Sequence, residues 1–352
     1  MSKHPGITAG RFRHRAAPAA VVAGLILAAA AAPEAAAAAS RAPWCGTGPV
    51  LQADAMPRRV TPAQCRLAGR TLRSAAGASA VAPTDGTTVT AHLLRPDGAA
   101  ELRISPDPET GGYTVSHDFA GLTPPTGDRA APLDPCTDTE HKVSPTAWPK
   151  GATIKWRYYA GTAKNGGLGL RHPFRAISRG IVNAVNAHTD CNQPDGLGPK
   201  PNIFEHFDGD TDKAPNIGDE GTCRQRDSVN SFGWKRAAGL QTFILGMTCT
   251  WEIDHRTVEG DTALPDQPGM WWEPGDDRRG ARAPLPGCPP NHYIPSAVAT
   301  HEALHVLGLE HVEGARHAAL TMTPALASCD DGAATLGKGD YDGLIELYGP
   351  RP

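Results

Sequence analysis

The chain contains the run His301-Glu302-Ala303-Leu304-His305-Val306-Leu307-Gly308-Leu309-Glu310-His311. Its first two histidines are four residues apart, so on a helix they project from one face, one turn apart. Two imidazole nitrogens in this arrangement can bind the same metal ion. The run therefore predicts a helix that carries metal ligands.

The third histidine of the run implies a turn. A continued helix would carry His311 to the far side, away from the other two histidines. The chain must therefore leave the helix before it, and Gly308 stands where a left-handed turn costs least. Three neutral histidines leave a fourth zinc position for water, which is the catalytic arrangement. Glu302 can then act as general base on that water.

The spacing H-E-x-x-H-x-x-G-x-x-H resembles the long zinc signature of the metzincin metalloendopeptidases. A second stretch, Leu320-Thr321-Met322-Thr323-Pro324, resembles the methionine turn of that family. The resemblance implies one catalytic zinc ion bound by His301, His305 and His311. It also implies that Met322 supports the ligands from beneath and does not bind the metal.

Two further stretches resemble the matrixin-like branch. Residues 340–349 resemble its closing helix, in which Asp342 either hydrogen-bonds the methionine turn or caps the helix. Residues 258–265 resemble the strand before the zinc helix, which would form the cleft edge that binds substrate. Residues 324–328 would form one wall of the neighbouring pocket. Val312 departs from the serine that usually follows the third histidine in matrixins, so the branch is assigned on the other motifs.

Alternating strand and helix patterns from residue 134 onward predict an α+β catalytic domain at 134–352. The expected parts are a mixed sheet, a backing helix near residues 174–185, a zinc helix, a methionine turn and a closing helix. Ser296 is the expected N-cap of the zinc helix.

Residues 1–39 have basic residues followed by an Ala-rich apolar stretch and small residues, which predicts a cleaved signal peptide and secretion. An uncleaved membrane anchor is the alternative. The formal charge of −3 for the whole chain would become −6 after cleavage. This mildly acidic balance does not indicate a nucleic-acid surface. We expect a monomer with no stable membrane association, whose partner is a protein or peptide substrate.

Residues 40–133 predict a small β-rich unit, either a propeptide or an accessory domain. Residues 87–95 and 99–105 are strand-like, with the turn Pro96-Asp97-Gly98 between them. A cysteine latch on the metal by Cys45 is an alternative mode of latency. The even cysteine count instead favours a bond between Cys45 and Cys65.

All eight cysteines follow the predicted signal peptide. Two precede residue 133 and six follow it, which predicts one disulfide in the first part and three in the second. Their connectivity stays open.

The residues Asp208, Asp210 and Asp212 stand at alternate positions, as the ligands of a calcium loop do. A calcium site is therefore one interpretation of this stretch. A solvated acidic loop is the alternative.

The chain is therefore expected to be a secreted zinc endopeptidase. The alternative is a secreted zinc-containing binding or adhesion protein with little or no proteolytic activity.

Overall fold

The computed structural model describes residues 42–121, 131–236, 243–273 and 285–352. The predicted signal peptide at 1–39, and residues 122–130 just before the domain boundary expected at 133, lie outside these residues. The described chain is a mixed α+β structure. No helix within the described ranges has the length and apolar character needed to cross a membrane.

Strands hold more of the described residues than α-helices do. In chain order they are β1 Val50–Gln52, β2 Arg59–Val60, β3 Thr71–Arg73, β4 Ser79–Val81, β5 Thr88–Arg95, β6 Gly98–Asp107, β7 Gly112–Gly121, β8 Thr153–Tyr159, β9 Phe204–Asp210, β10 Thr222–Cys223, β11 Ser231–Lys235, β12 Gly246–Ile253 and β13 Arg256–Pro265. The predicted hairpin is confirmed: β5 and β6 pair antiparallel through a turn at residues 96–97.

The strands form two sheets. The larger has the order β2-β7-β6-β5-β12-β13-β11-β8-β9, and the smaller has the order β1-β3-β4-β10. Strands β9, β8, β11 and β13 run parallel, whereas β12 is antiparallel to both of its neighbours. The large sheet thus passes without a break from strands before residue 133 to strands after it. The domain boundary expected at residue 133 stays a prediction.

Three α-helices lie in the described ranges: α1 Pro173–Val185, α2 Pro295–Val306 and α3 Lys338–Tyr348. They match the expected backing, zinc-ligand and closing positions. Nearly every residue of α2 is buried, so this helix is enclosed on all sides. The N-cap of α2 is Ile294, not Ser296 as predicted, because Pro295 takes the first helical position, where its missing N–H costs nothing.

The two faces of β12 belong to different parts of the core. Met247, Cys249 and Trp251 pack among side chains of residues 45–115. Thr248 lies on the opposite face and contacts α2. Because side chains alternate along a strand, β12 separates the core around the helices from the core around the first strands.

The prediction that residues 258–265 form the edge of a cleft is wrong. Strand β13 pairs with β12 on one side and with β11 on the other, so both of its backbone edges are hydrogen-bonded. The near-continuous burial of β13 fits an interior strand, in which both faces are covered. Strand β12 lies next to β13 on the side opposite β11.

Each of the four disulfides joins one cysteine to the next cysteine along the chain: Cys45–Cys65, Cys136–Cys191, Cys223–Cys249 and Cys288–Cys329. The predicted division into one and three is confirmed. No cysteine is free, so a latch by the Cys45 thiol is wrong. Four disulfides indicate an extracellular or otherwise oxidising compartment.

Candidate metal centre

Helix α2 and the turn after it bring the three predicted histidines together. The Nε2 atom of His311 lies 3.2 Å from Nε2 of His301 and 3.0 Å from Nε2 of His305. All three side chains are buried. Among the described residues they form the one group of three or more side chains that could hold a metal ion.

Backbone carbonyls fix the orientation of two of the rings. Nδ1 of His301 lies 2.7 Å from the carbonyl of Thr321, and Nδ1 of His305 lies 2.9 Å from the carbonyl of Leu309. A carbonyl only accepts, so each Nδ1 must donate, and each neutral ring then presents an unprotonated Nε2. This is the tautomer that a metal ligand needs.

The convergence itself favours a cation. His311 can donate one proton to the other two Nε2 atoms, so at least one buried lone pair would face the group without a donor. Such a pair is costly away from water. A cation between the rings would satisfy all three nitrogens, and the imidazole donor set suits zinc, copper, iron or nickel.

Burial keeps these rings neutral in the metal-free chain. It lowers the pKa of His301 to about 4 and lowers the pKa values of His305 and His311 well below their ordinary value. The site is therefore ready to bind a metal at neutral pH, because protons do not compete for the nitrogens.

Gly308 makes the turn to His311, as predicted. Its φ is +91°, in the left-handed region that glycine adopts at low cost. A Cβ here would also lie 2.9 Å from the carbonyl oxygen of Thr146. Helix α2 ends just before it, at Val306, and the turn directs the chain toward His311.

The segment around Met322 is held from the closing helix. The carboxylate of Asp340 accepts hydrogen bonds from the backbone N–H groups of Thr321, Met322 and Gly337, at 2.8, 3.0 and 2.8 Å. The carbonyl of the same Thr321 orients His301. Asp342, considered for this role from the sequence, instead pairs with Lys338. Met322 is buried.

Glu302 points into the sheet from the same helix. Its Oε2 accepts a 2.7 Å hydrogen bond from the Thr248 hydroxyl on β12, while its Oε1 is buried without a hydrogen-bond partner. Burial raises the pKa of Glu302 to about 8. A Cβ at Gly246 would lie 2.3 Å from Oε1, so only glycine fits there. One buried, unpartnered oxygen is available to a proton or a polar group.

Sequence reasoning did not find three neighbours of this site. Thr248 and Gly246 contact Glu302, and His92 of β5 stacks on His305 with ring centroids 4.0 Å apart. Nothing in the local sequence marks these residues. Only the pairing of β5 with β12 would have shown that His92 lies opposite Thr248.

The structure does not support the calcium loop. Phe204–Asp210 forms strand β9, and the Asp208 carboxylate accepts a 2.7 Å hydrogen bond from the Arg157 guanidinium. In the part of the chain that the structure describes, these acidic residues are not gathered into a metal-binding group.

A cavity of about 580 Å³ lies beside the segment after Met322. Thr323, Ala325 and Leu326 line it, in keeping with the wall expected at 324–328. Pro96, next to the end of β5, lines the same cavity. The first part of the chain therefore reaches this pocket.

The histidine group can thus hold a metal ion, with Glu302 beside it in sequence and buried with it. No protein-family model matches this chain, and a search of curated proteins finds no match.

Proposed function

We propose that this protein is a secreted, zinc-dependent endopeptidase of the metzincin type. The observation that carries the proposal is the convergence of three buried Nε2 atoms, two of them on rings oriented by backbone carbonyls, at the helix that also carries the buried carboxyl of Glu302. The position of the turn at Met322 and of the closing helix α3 supports the family assignment.

A zinc ion held by the three histidines would polarise a peptide carbonyl and lower the pKa of water in the site. Glu302 accepts the proton of the attacking water and then donates it to the leaving amine. Thr248 holds one carboxylate oxygen by its hydroxyl and leaves the other oxygen available for that proton.

The choice of zinc rests on the donor set. Three imidazoles and no thiolate suit a catalytic site with one open position. The backbone carbonyls of Thr321 and Leu309 accept hydrogen bonds from the Nδ1 atoms of His301 and His305. Such hydrogen bonds hold metal-binding imidazole rings in place.

Two variants, compared with the parent, test the function. The parent should bind one zinc ion per chain and cleave a quenched-peptide library after the chain is opened by proteolysis between residues 121 and 131. Glu302→Gln should keep zinc and lose at least about a hundredfold in activity, in line with general-base catalysis. His305→Ala should lose both zinc and activity.

Glu310→Gln is the matched control, because it removes a carboxylate next to His311 that pairs with Lys142. It should keep zinc and activity. Full activity in Glu302→Gln would refute the general-base role.

The alternative is a zinc-containing binding or adhesion protein. One observation favours it: β5 covers the outer edge of β12, so β12 offers no free edge to a substrate. Zinc binding without cleavage of any peptide by the parent, before and after opening of the chain, would support this alternative.

A further inference from the structure

Strand β12, which contacts Glu302, is already paired along its outer edge. Strand β5 runs antiparallel to β12 in continuous register from Gly246–Leu94 to Glu252–Thr88. An extended peptide that adds to a sheet edge makes the same kind of main-chain pairing. The segment Thr88–Arg95 therefore holds the place of an added strand on β12.

The side chains of β5 also reach the site. His92 lies opposite Thr248, the residue that hydrogen-bonds Glu302. Its ring stacks on His305, with an angle of 12° between the planes, and lies edge-on to His311 with centroids 6.3 Å apart. A ring in this position covers one face of a ligand.

His92 is not held there by a hydrogen bond of its own. Its Nδ1 is buried without a partner, and the Oε2 atom of Glu101 is 3.7 Å away, beyond hydrogen-bond distance. An imidazole buried with an unsatisfied nitrogen costs free energy. The position of the His92 ring is therefore set by the register of β5 on β12 and by its packing against His305.

The end of β5 lies beside the cavity that Thr323, Ala325 and Leu326 line. Leu94 is buried in the same core cluster as Met322 and Leu326. Arg95 forms a parallel bridge to Ala325, a residue of the cavity wall. Strand β5 thus pairs with β12 along one edge, and its last residue also contacts the segment after Met322.

The covalent structure allows this strand to leave. The one disulfide before residue 121 joins Cys45 to Cys65, and the other three join cysteines after residue 131. A cut between 121 and 131 would leave the two parts held by non-covalent contacts alone.

We infer that β5 is a built-in blocking strand: it occupies the edge of β12 where an extended polypeptide would bind, and His92 covers the metal ligands until the first part of the chain is cut away. This inference rests on the proposed function, since it assigns the regulation of the same site. It specifies an extended segment pairing antiparallel to β12 as the class of substrate.

The test uses the full chain with a site-specific protease sequence placed between residues 121 and 131. The probe is a fluorescent peptide hydroxamate, which binds zinc through the hydroxamate and can pair with β12 through the peptide. The uncut, zinc-loaded chain should bind the probe at least about 100-fold more weakly than the cut chain, because a tethered strand competes at high effective concentration. Size-exclusion chromatography should show that the first part leaves when the probe binds.

Two results would overturn the inference. One is equal binding of the probe by the uncut and the cut chain. The other is loss of the first part, with zinc retained, and still no binding of the probe. Binding of the probe by the cut chain without cleavage of any peptide would support the blocking strand and count against the endopeptidase, so the two proposals can be separated.

A second measurement applies if the cut chain unfolds or its parts stay together. The rate of zinc transfer to a strong chelator is compared for the uncut parent, His92→Ala and His117→Ala. His117 is a partly exposed histidine of β7 and serves as the matched control. We expect transfer about tenfold faster in His92→Ala alone, the scale seen when groups around metal ligands are removed. Equal rates in the two variants would overturn the inference.

Discussion

The protonation states of individual side chains set how the site takes up a metal. In the metal-free chain, burial lowers the pKa of His301 to about 4 and raises the pKa of Glu302 to about 8. At pH 6 the histidine is therefore neutral, so metal binding displaces no proton from its Nε2 atom, whereas the carboxyl of Glu302 is protonated. A dication nearby favours the ionised carboxylate.

We predict from this that zinc uptake at pH 6 releases about one proton per chain. Glu302→Gln should release close to none, because the amide has no proton to lose and the histidines are already neutral. Calorimetric titration in two buffers of different ionisation enthalpy measures the release. Equal release by the two proteins would show that Glu302 is not the group that titrates.

At the scale of single elements, the turn after α2 depends on the conformation of Gly308. Gly308→Ala should destabilise the chain because alanine is strained at a φ of +91° and its Cβ would press on the Thr146 carbonyl. Gly209→Ala is the control, since its φ of +90° is nearly the same and a Cβ there would have no atom within 4 Å. The strain alone costs about 1–3 kcal/mol.

Gly308→Ala should therefore lose more unfolding free energy in urea than Gly209→Ala, and it alone should bind zinc more weakly, because the turn directs His311. Unchanged zinc affinity in Gly308→Ala would mean that His311 is positioned by other contacts.

The closing helix α3 stabilises the turn at Met322 through one carboxylate. Asp340→Asn leaves a single oxygen for three backbone N–H groups and should destabilise the chain by about 1–3 kcal/mol. Asp342→Asn, two residues further along the same helix and paired with Lys338, should change stability by about 0.5 kcal/mol or less. Thermal or urea unfolding compares the two, and equal effects would contradict the anchoring role of Asp340.

For the whole molecule, a metal that binds only the folded chain adds to its stability. The three ligands come from α2 and the turn that follows it, and the ligand-orienting carbonyl of Thr321 comes from a further segment. Zinc at a free concentration 100 times its Kd should raise the free energy of unfolding by about 2.7 kcal/mol, and a chelator should reverse the gain. His311→Ala should show little response to either. Identical unfolding midpoints for the parent with zinc and with chelator would argue against a metal site.

The sequence by itself determined the features that depend on residues close together in the chain. The spacing of His301, His305 and His311, with glycine at 308, fixed a ligand pair on one helical turn and a left-handed exit, because helix periodicity and glycine conformation are local properties. The hairpin of β5 and β6 followed in the same way from its turn residues. The division of the disulfides followed from where the cysteines stand along the chain.

The tertiary structure alone decided what surrounds these residues. The order of strands in the sheet determined that β13 is interior and that β5 lies against β12, which brings His92 onto His305 and Thr248 onto Glu302. It also gave the anchoring role to Asp340 in place of Asp342. These contacts join residues far apart in the chain, and a strand's own residues specify which of its faces is buried without specifying which strand pairs with its edge.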